Sequence, residues 1–421
     1  MAGIYVHIPF CGQFCTYCNF YSVKGKEYRE KYISALHNEI ELRKGFFKNT
    51  GVSPQAIYFG GGTPSLFSPV QLGEVLERII RAFNVSPVEV SLEVNPNDIT
   101  PEYAAGLRKA GFNRVSMGIQ SFVDEHLQWM NRRHKAQEGI DAYRNLRNAG
   151  FENISLDLIF GYSGLTPQLW EYNLSKMVEL APEHISAYQM SIEPGSALGK
   201  MYEKGEYDLP PDNLCHQQYS TLQEYLSRNR YEQYEVSNFA RKREDSGDIV
   251  KSIHNSSYWT REPYLGLGPA AHSYNSTIRS WNHSSVAKYC RYYLQVNSDI
   301  QSCAGNGLEL VDNAVHYDCG PAQAGHHSGQ YLLDSGIIVP SLVGGYEELG
   351  ARDIFNETMM LGLRRIDGVD LSLLDSVLLK EIKGDIARHC RLGNIIIEEN
   401  KIRIPHEKLF VSDGIIRDLF V

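Results

Sequence analysis

The sequence predicts an α/β chain: an open parallel (β/α)6 partial TIM barrel followed by a small C-terminal α+β unit of winged-helix type. Short β-rich runs alternate with helical stretches from the N-terminus to about residue 190, and such alternation calls for parallel strands with helical crossovers. Leu107-Arg108-Lys109-Ala110-Gly111-Phe112 recurs as Leu146-Arg147-Asn148-Ala149-Gly150-Phe151, each copy leading into a run with a serine, Ser116 or Ser155. One βα step is thereby repeated, with a glycine able to take the left-handed cap before the next strand. From about residue 353 the alternation gives way to short helices and a hairpin.

Taken in order, Ile4–Ile8 reads as the first strand and Glu27–Lys44 as a helix. Ala56–Phe59 is the second strand, and Pro69–Phe83 a helix with Ser68 as N-cap and Pro69 at its first position. Glu89–Glu93 is the third strand, followed by a helix that opens at Thr100-Pro101 and closes at Gly111. Arg114–Ile119, Ile154–Ile159 and His184–Met190 supply strands four to six. Right-handed crossovers curl such strands into an open barrel with functional loops at their C-terminal ends. Further on, Ile354–Arg364, Ser372–Leu378 and Lys380–Cys390 read as helices, and Ile395–Glu398 with Lys401–Ile404 as a hairpin turning at Glu399-Asn400. A last helix starts at Ser412. The expected division is a core over 1–295, an atypical linker or insertion over 296–352, and a lid or docking unit over 353–421.

Among 421 residues, 41 Lys and Arg stand against 50 Asp and Glu, a net charge of −9. That balance argues against nucleic acid as a partner, because phosphate neutralisation needs clustered cations. The C-terminal unit, with ten basic and twelve acidic residues, shares it. No apolar run approaches the ~20 residues of a membrane span, so any membrane contact is expected to be peripheral. The opening Met-Ala-Gly-Ile-Tyr has neither the basic nor the apolar region of a secretory signal, so a reducing cytoplasm is expected.

Cys11, Cys15 and Cys18 fall within Cys-Gly-Gln-Phe-Cys-Thr-Tyr-Cys, directly after the first strand. Iron–sulfur clusters normally take four cysteines, so a Cys-x3-Cys-x2-Cys loop can hold three irons of a 4Fe–4S cube and leave the fourth open. Structural zinc, the alternative, wants four N/S ligands, usually as two separated pairs, and no second pair is present. Disulfides are disfavoured in a reducing compartment. Cys215, Cys290, Cys303, Cys319 and Cys390 are scattered and read as single thiols.

Gly60-Gly61-Gly62-Thr63-Pro64-Ser65 leaves the second strand, and glycines there let a ligand approach free backbone groups. Glu93, Gln120 and Asp157 stand at later strand ends, as a small zwitterionic ligand would need. Capping of helices, or pairing with Arg114, Arg132 or Arg133, is the alternative for these side chains.

These residues carry a family resemblance. The sequence resembles radical S-adenosylmethionine (SAM) proteins, specifically the oxygen-independent coproporphyrinogen III oxidase group and most closely its haem-chaperone, or HemW, branch. The resemblance rests on Tyr5-Val6-His7-Ile8-Pro9-Phe10-Cys11 with the cysteine loop, the glycine loop, Gly118–Phe122, Asp157, Glu193-Pro194-Gly195, Tyr234–Phe239 and His254-Asn255-Ser256-Ser257-Tyr258-Trp259. It spans residues 3 to about 295 closely and 353 to 421 more loosely. It implies that Cys11, Cys15 and Cys18 hold a 4Fe–4S cluster whose open iron is chelated by SAM. Tyr5, Tyr17, Gly61, Gly62, Thr63, Glu93, Gln120, Arg132, Asp157 and Ser191 would line that cofactor. In such proteins electron transfer to the sulfonium releases methionine and a 5′-deoxyadenosyl radical.

The decarboxylating oxidases of the group carry a further cysteine where this chain has Phe20, and they have an N-terminal extension. The resemblance therefore implies a haem carrier that delivers haem to apoproteins such as respiratory enzymes; coproporphyrinogen oxidation is the alternative. RNA modification by a radical enzyme is disfavoured by the acidic charge. Histidine is the commonest protein donor to haem iron. His254, flanked by Tyr258 and Trp259 whose faces could stack on a porphyrin, is the first expectation, and His272 the second. A hydrogen-bonded core histidine is the alternative for His254. Arg241, Lys242, Arg243, Arg261 and Arg279 are candidates for the propionates, although 241–245 also reads as a solvated turn. Between 299 and 343 the chain departs from the group: Cys303, His316, Cys319, His326 and His327 lie among glycines, which reads as a surface insertion.

Overall fold

A computed structural model describes residues 2–48, 50–305, 331–332, 338–339 and 344–421, with side chains described over 2–48, 50–295 and 344–421. The side chains of Cys303, His316, Cys319, His326 and His327, in the stretch read as a surface insertion, lie outside the described residues. Six parallel strands run in chain order side by side: β1 (Ala2–Ile8), β2 (Pro54–Gly61), β3 (Glu89–Val94), β4 (Arg114–Gln120), β5 (Ile154–Phe160) and β6 (His184–Gln189). Each expected strand is present, most of them a residue or two longer than the sequence suggests. The helices α1 (Arg29–Arg43), α2 (Pro69–Phe83), α3 (Pro101–Lys109), α4 (Asp124–Trp129), α5 (Ala136–Asn148) and α6 (Pro167–Leu180) lie between them.

Local signals act as expected. Ser68 and Gln71 close a capping box at the start of α2, with Pro69 at the first position. The repeated step is repeated in space: Phe112 N–H donates to Leu107 O at 3.2 Å and Phe151 N–H to Leu146 O at 3.1 Å, past Gly111 (φ 101°) and Gly150 (φ 87°). Arg108 and Arg147 then each donate to the carbonyl four residues ahead, at 3.0 Å.

The sheet does not stop at six strands. Beyond β6 it continues with two antiparallel strands, Asn238–Arg241 and Tyr231–Gln233. On the other side, Tyr264–Leu267 pairs parallel to β1 and is followed by His272–Tyr274, Ile278–Trp281 and Gly345–Glu348, all antiparallel. The expected linker over 296–352 thus opens inside the helix Val286–Gly305 and gives a strand, Gly345–Glu348, to the main sheet. The C-terminal unit has helices Ala351–Leu363, Ser376–Glu381, Lys383–Arg391 and Ser412–Arg417 around a three-stranded sheet. Its hairpin turns at Glu399 (φ 47°) and Asn400 (φ 67°), two successive left-handed residues as in a type I′ turn. It docks by backbone bonds from Val236 N–H to Arg364 O (3.0 Å) and from Ile366 N–H to Tyr234 O (3.3 Å).

One buried carboxylate ties the β1 edge together. Glu39 of α1 is fully buried and accepts from Gly268 N–H (2.7 Å), Asn282 Nδ2 (2.7 Å), Tyr289 OH (2.6 Å) and Tyr293 OH (3.1 Å). Glu39→Ala takes this buried acceptor from Gly268 N–H and the two tyrosine hydroxyls, and leaves Asn282 Nδ2 only Gly268 O. A loss on the order of 3–5 kcal/mol is expected, read as a lower urea midpoint with an unchanged slope.

Candidate functional site

Strand alternation builds the site. Ile4, Val6, Ile57, Phe59, Leu92, Val115, Met117, Leu156 and Leu158 enter the hydrophobic core. The intervening side chains share the concave face in register: Tyr5 opposite Tyr58, Glu93 opposite Ser116, and Asp157 opposite both Gly118 and Ser186.

The cysteine loop sits over the C-terminal end of these strands. Cys11 N–H donates to Val23 O (3.0 Å), Thr16 N–H to Met130 O (3.1 Å), and Leu198 N–H to Thr16 O (2.8 Å). Asn131 Nδ2 donates to Phe14 O at 2.7 Å. The loop is therefore fixed by the segments after β4 and β6. All three cysteines are half-buried free thiols. Among the described residues no three Cys, His, Asp or Glu side chains gather closely enough to hold one metal ion. A cuboidal cluster takes its thiolates at separate corners, so three cysteines spaced apart can still serve it. Burial pushes the Cys11 thiol up and the Cys18 thiol to about 11, so a cation is what would draw the thiolates out.

The glycine loop corrects one expectation. Its amides are occupied: Gly61 N–H donates to Glu93 Oε2 (3.0 Å), Gly62 N–H to Ile8 O (2.8 Å) and Thr63 N–H to Phe10 O (2.7 Å). Glycine is required for packing, since a Cβ on Gly61 would lie 2.4 Å from the His7 ring and one on Gly62 2.7 Å from Phe10 O. A ligand ammonium would have to meet carbonyls here instead. Thr63 Oγ1 donates to Cys11 Sγ at 3.7 Å.

Opposite the loop, Arg132 donates to Cys15 Sγ (3.4 Å) and to Gly118 O (2.7 Å), and lies beside the half-buried Tyr17. Gln120 follows a bulge in β4, takes φ 66°, and keeps a buried Oε1 without a partner, as does Arg132 its Nε. Glu93 accepts from Tyr58 OH at 2.8 Å and Asp157 from Ser116 Oγ at 3.3 Å. Burial pushes Glu93 up to about 7 and Asp157 to about 6. Ser191, exposed, donates to Glu193 Oε1 at 2.7 Å, and the loop that carries it meets Asn19 at Gly195. Two half-buried acids, two orphaned polar atoms and three half-buried thiols on one rim fit a cationic, polar group bound with a cluster.

Sequence reasoning missed His7 and Tyr58. His7 Nε2 donates to Tyr21 O (3.0 Å), which leaves Nδ1 to accept from Tyr5 OH (2.9 Å). The period of two in Tyr5-Val6-His7 and in Tyr58-Phe59-Gly60 was the available signal.

The expected haem residues are not at this rim. His254 lies in a short helix, α7 by order of introduction (Ile253–Trp259), at the opposite end of the concave face. Its ring is 5% exposed and stacked on Tyr58 at 4.5 Å, with Tyr258 edge-on at 5.0 Å. Trp259 Nε1 is buried without a partner. His254 is thus enclosed where α7 packs inward, while Tyr258 and Trp259 beside it are half-buried. His272 is exposed and stacks on Trp281 at 5.6 Å. The propionate candidates scatter: Arg241, Lys242 and Arg243 line a cleft of about 930 Å³ at the N-terminal strand ends, whereas Arg261 and Arg279 pair with Glu357. That cleft touches none of the rim residues.

Glu93 and Asp157 keep protons when folded over windows, 4.5 to about 7 and 3.8 to about 6, where the unfolded chain has lost them. The metal-free protein should thus lose stability as pH rises through these windows. Thermal midpoints from about pH 4 to pH 7.5 test this, with Glu93→Gln/Asp157→Asn expected to flatten the profile.

The Radical SAM superfamily model matches residues 5–173. A relative from Bacillus subtilis, "Heme chaperone HemW", is 35% identical over 293 residues, 69% of this chain and 75% of its own. A Mycobacterium tuberculosis protein of the same description is 29% identical over 422 residues, 99% of this chain and 94% of its own. Coproporphyrinogen III oxidase (HemN) of Escherichia coli has a similar fold, with a TM-score of 0.75 at 20% identity over 100% of this chain and 90% of that one. Three rim cysteines, the polar concave face and these relatives agree: the chain belongs to the HemW family of radical SAM proteins.

Proposed function

We propose that this protein is a haem carrier that holds a 4Fe–4S cluster on Cys11, Cys15 and Cys18, binds SAM beside it, and passes haem to apoproteins such as respiratory enzymes in the cytoplasm. The observation that carries the reading is the meeting of three half-buried thiols with two desolvated carboxylates at one strand end. In this reading Glu93 and Asp157 meet the ammonium or ribose hydroxyls, and Arg132 the carboxylate, with Tyr5, Tyr17, Gly61, Gly62, Thr63, Gln120 and Ser191 completing the walls. Bound there, cluster and cofactor would supply one-electron cleavage of a sulfonium. The relatives described as haem chaperones support the cargo.

One feature favours carriage over decarboxylation. Phe20, at the position of the oxidases' further cysteine, is 73% exposed. His254 is enclosed, so the exposed His272 beside Trp281 is the better axial ligand to incoming haem. Residues 353–421, docked on the core through 364–366, would serve as a lid or docking unit. No helix among the described residues is long and apolar enough to cross a membrane, which leaves peripheral contact as the way to a membrane-bound recipient.

Anaerobic reconstitution should give about four iron and four sulfide per chain, lost when any of the three cysteines becomes alanine. Haem titration should raise a Soret band, with roughly tenfold weaker binding in His272→Ala. Zinc without sulfide, or a vinyl product from coproporphyrinogen III, would overturn the proposal.

A further inference from the structure

The inward packing of α7 gives its histidine a different role. Strand β3 carries Glu89 and Glu93 four residues apart, on the concave face. Glu89 holds the start of α7: its carboxylate accepts from Ile253 N–H (2.9 Å), His254 N–H (3.0 Å) and Ser252 Oγ (3.3 Å). Arg114 lies behind it, its Nε 3.9 Å from Glu89 Oε2. So held, His254 lies nearly parallel to Tyr58, ring centroids 4.5 Å apart and planes 11° apart. Tyr5 flanks the same histidine at 6.1 Å. Gly3 leaves only enough room, since a Cβ there would come within 3.3 Å of His254 Nδ1.

Tyr58 carries this position to the rim. Its hydroxyl donates to Glu93 Oε1 at 2.8 Å, while Gly61 N–H holds the other oxygen at 3.0 Å. A Cβ on Gly60 would lie 2.8 Å from Glu93 Oε1 and from the Tyr58 ring, so ring and carboxylate are both pressed into this strand. The carboxylate therefore has its two oxygens fixed from two sides, and one of the two fixings depends on the plane of a ring that His254 supports.

We propose that His254 is a positioning residue for the SAM site, acting through Tyr58 on Glu93, and is not the ligand of haem iron. The inference rests on the reading of Glu93 as a SAM contact. Its readout is equilibrium binding of SAM to reconstituted protein, together with the change SAM makes in the EPR signal of the reduced cluster. His254→Leu should weaken SAM binding roughly three- to tenfold, the range that a lost aromatic stack supplies, and shrink the EPR change. His254→Phe, which keeps a flat ring, should restore both, although phenylalanine cannot ligate iron. Tyr58→Phe should weaken binding by a similar factor, and the double variant His254→Leu/Tyr58→Phe should fall short of the product of the two effects. Haem binding, followed by the Soret band, should persist in His254→Phe.

Wild-type affinity in His254→Leu, or loss of the Soret band in His254→Phe with SAM affinity intact, would overturn the proposal. Should His254→Leu fail to fold, Tyr58→Phe and His254→Phe decide the matter: wild-type SAM affinity in the first or a weakened one in the second refutes it. Wild-type protein that forms its cluster yet binds no SAM would overturn the preceding functional reading as well, a failure distinct from the other two.

Discussion

The six parallel strands of this protein are sided, and the cost of that sidedness organises the rest. Parallel strands buried on both faces usually read as continuous apolar runs, and the inside of a closed barrel is usually filled by branched aliphatic layers. Here Ile-Tyr-Val-His, Val-Ser-Leu-Glu, Val-Ser-Met-Gly and Ile-Ser-Leu-Asp alternate strictly. The apolar set goes to the helices and the polar set to the concave face. Buried polar groups are tolerated only when partnered, and the partners found are mutual: Tyr58 with Glu93, Ser116 with Asp157, Ser155 with His184. Glu93 and Asp157 remain desolvated acids even so. A face kept polar at that cost is a face built for a polar guest.

The two ends of the concave face are treated differently. At the C-terminal strand ends the cysteine loop is pinned by backbone bonds to the segments after β4 and β6, which gives its thiols fixed directions. At the N-terminal ends Glu89 holds a short helix against the floor. Because the helix ring of His254 lies against Tyr58, the floor supports the rim. Glycines serve this close packing more than they serve a ligand: Gly3 meets His254, Gly61 meets His7, and Gly62 meets the backbone of Ile8 and Phe10 at the end of β1.

How much of this could be read in the sequence follows from how local each signal is. The capping box at Ser68, the glycine-ended helices before Phe112 and Phe151, and the turn at Glu399-Asn400 depend on a few adjacent residues, and each was legible. The strands that widen the sheet were not, because Tyr231–Gln233, Tyr264–Leu267, His272–Tyr274 and Ile278–Trp281 are three or four residues long and show no usable period. Tyr264–Leu267 finds its place only against β1, and the loop after it against Glu39, more than 200 residues away in the chain. The rim cysteines and acids were visible as residue types at strand ends. What the sequence could not give was direction: His254 looked like a donor flanked by aromatic faces, and only packing shows that its faces are already covered.

The separation of rim and exposed histidine bears on whether cofactor and cargo communicate. His272 follows the strand Tyr264–Leu267, which pairs with β1, and β1 leads into the cysteine loop. A change at the rim could reach His272 only by shifting β1 against its neighbour. That junction is where Glu39 holds Gly268 and Asn282, and where Gly268 lies so close to β1 that a Cβ would come within 2.4 Å of His7 O. Coupling between sites typically amounts to about 1–3 kcal/mol, whereas stripping a buried charge of its partners costs on the order of 3–5 kcal/mol. A shift of β1 large enough to break these bonds would cost more than an ordinary coupling supplies. If, as proposed, SAM binds at the rim and haem at His272, reciprocity of linkage makes any insulation at this junction mutual, and the two sites should load independently.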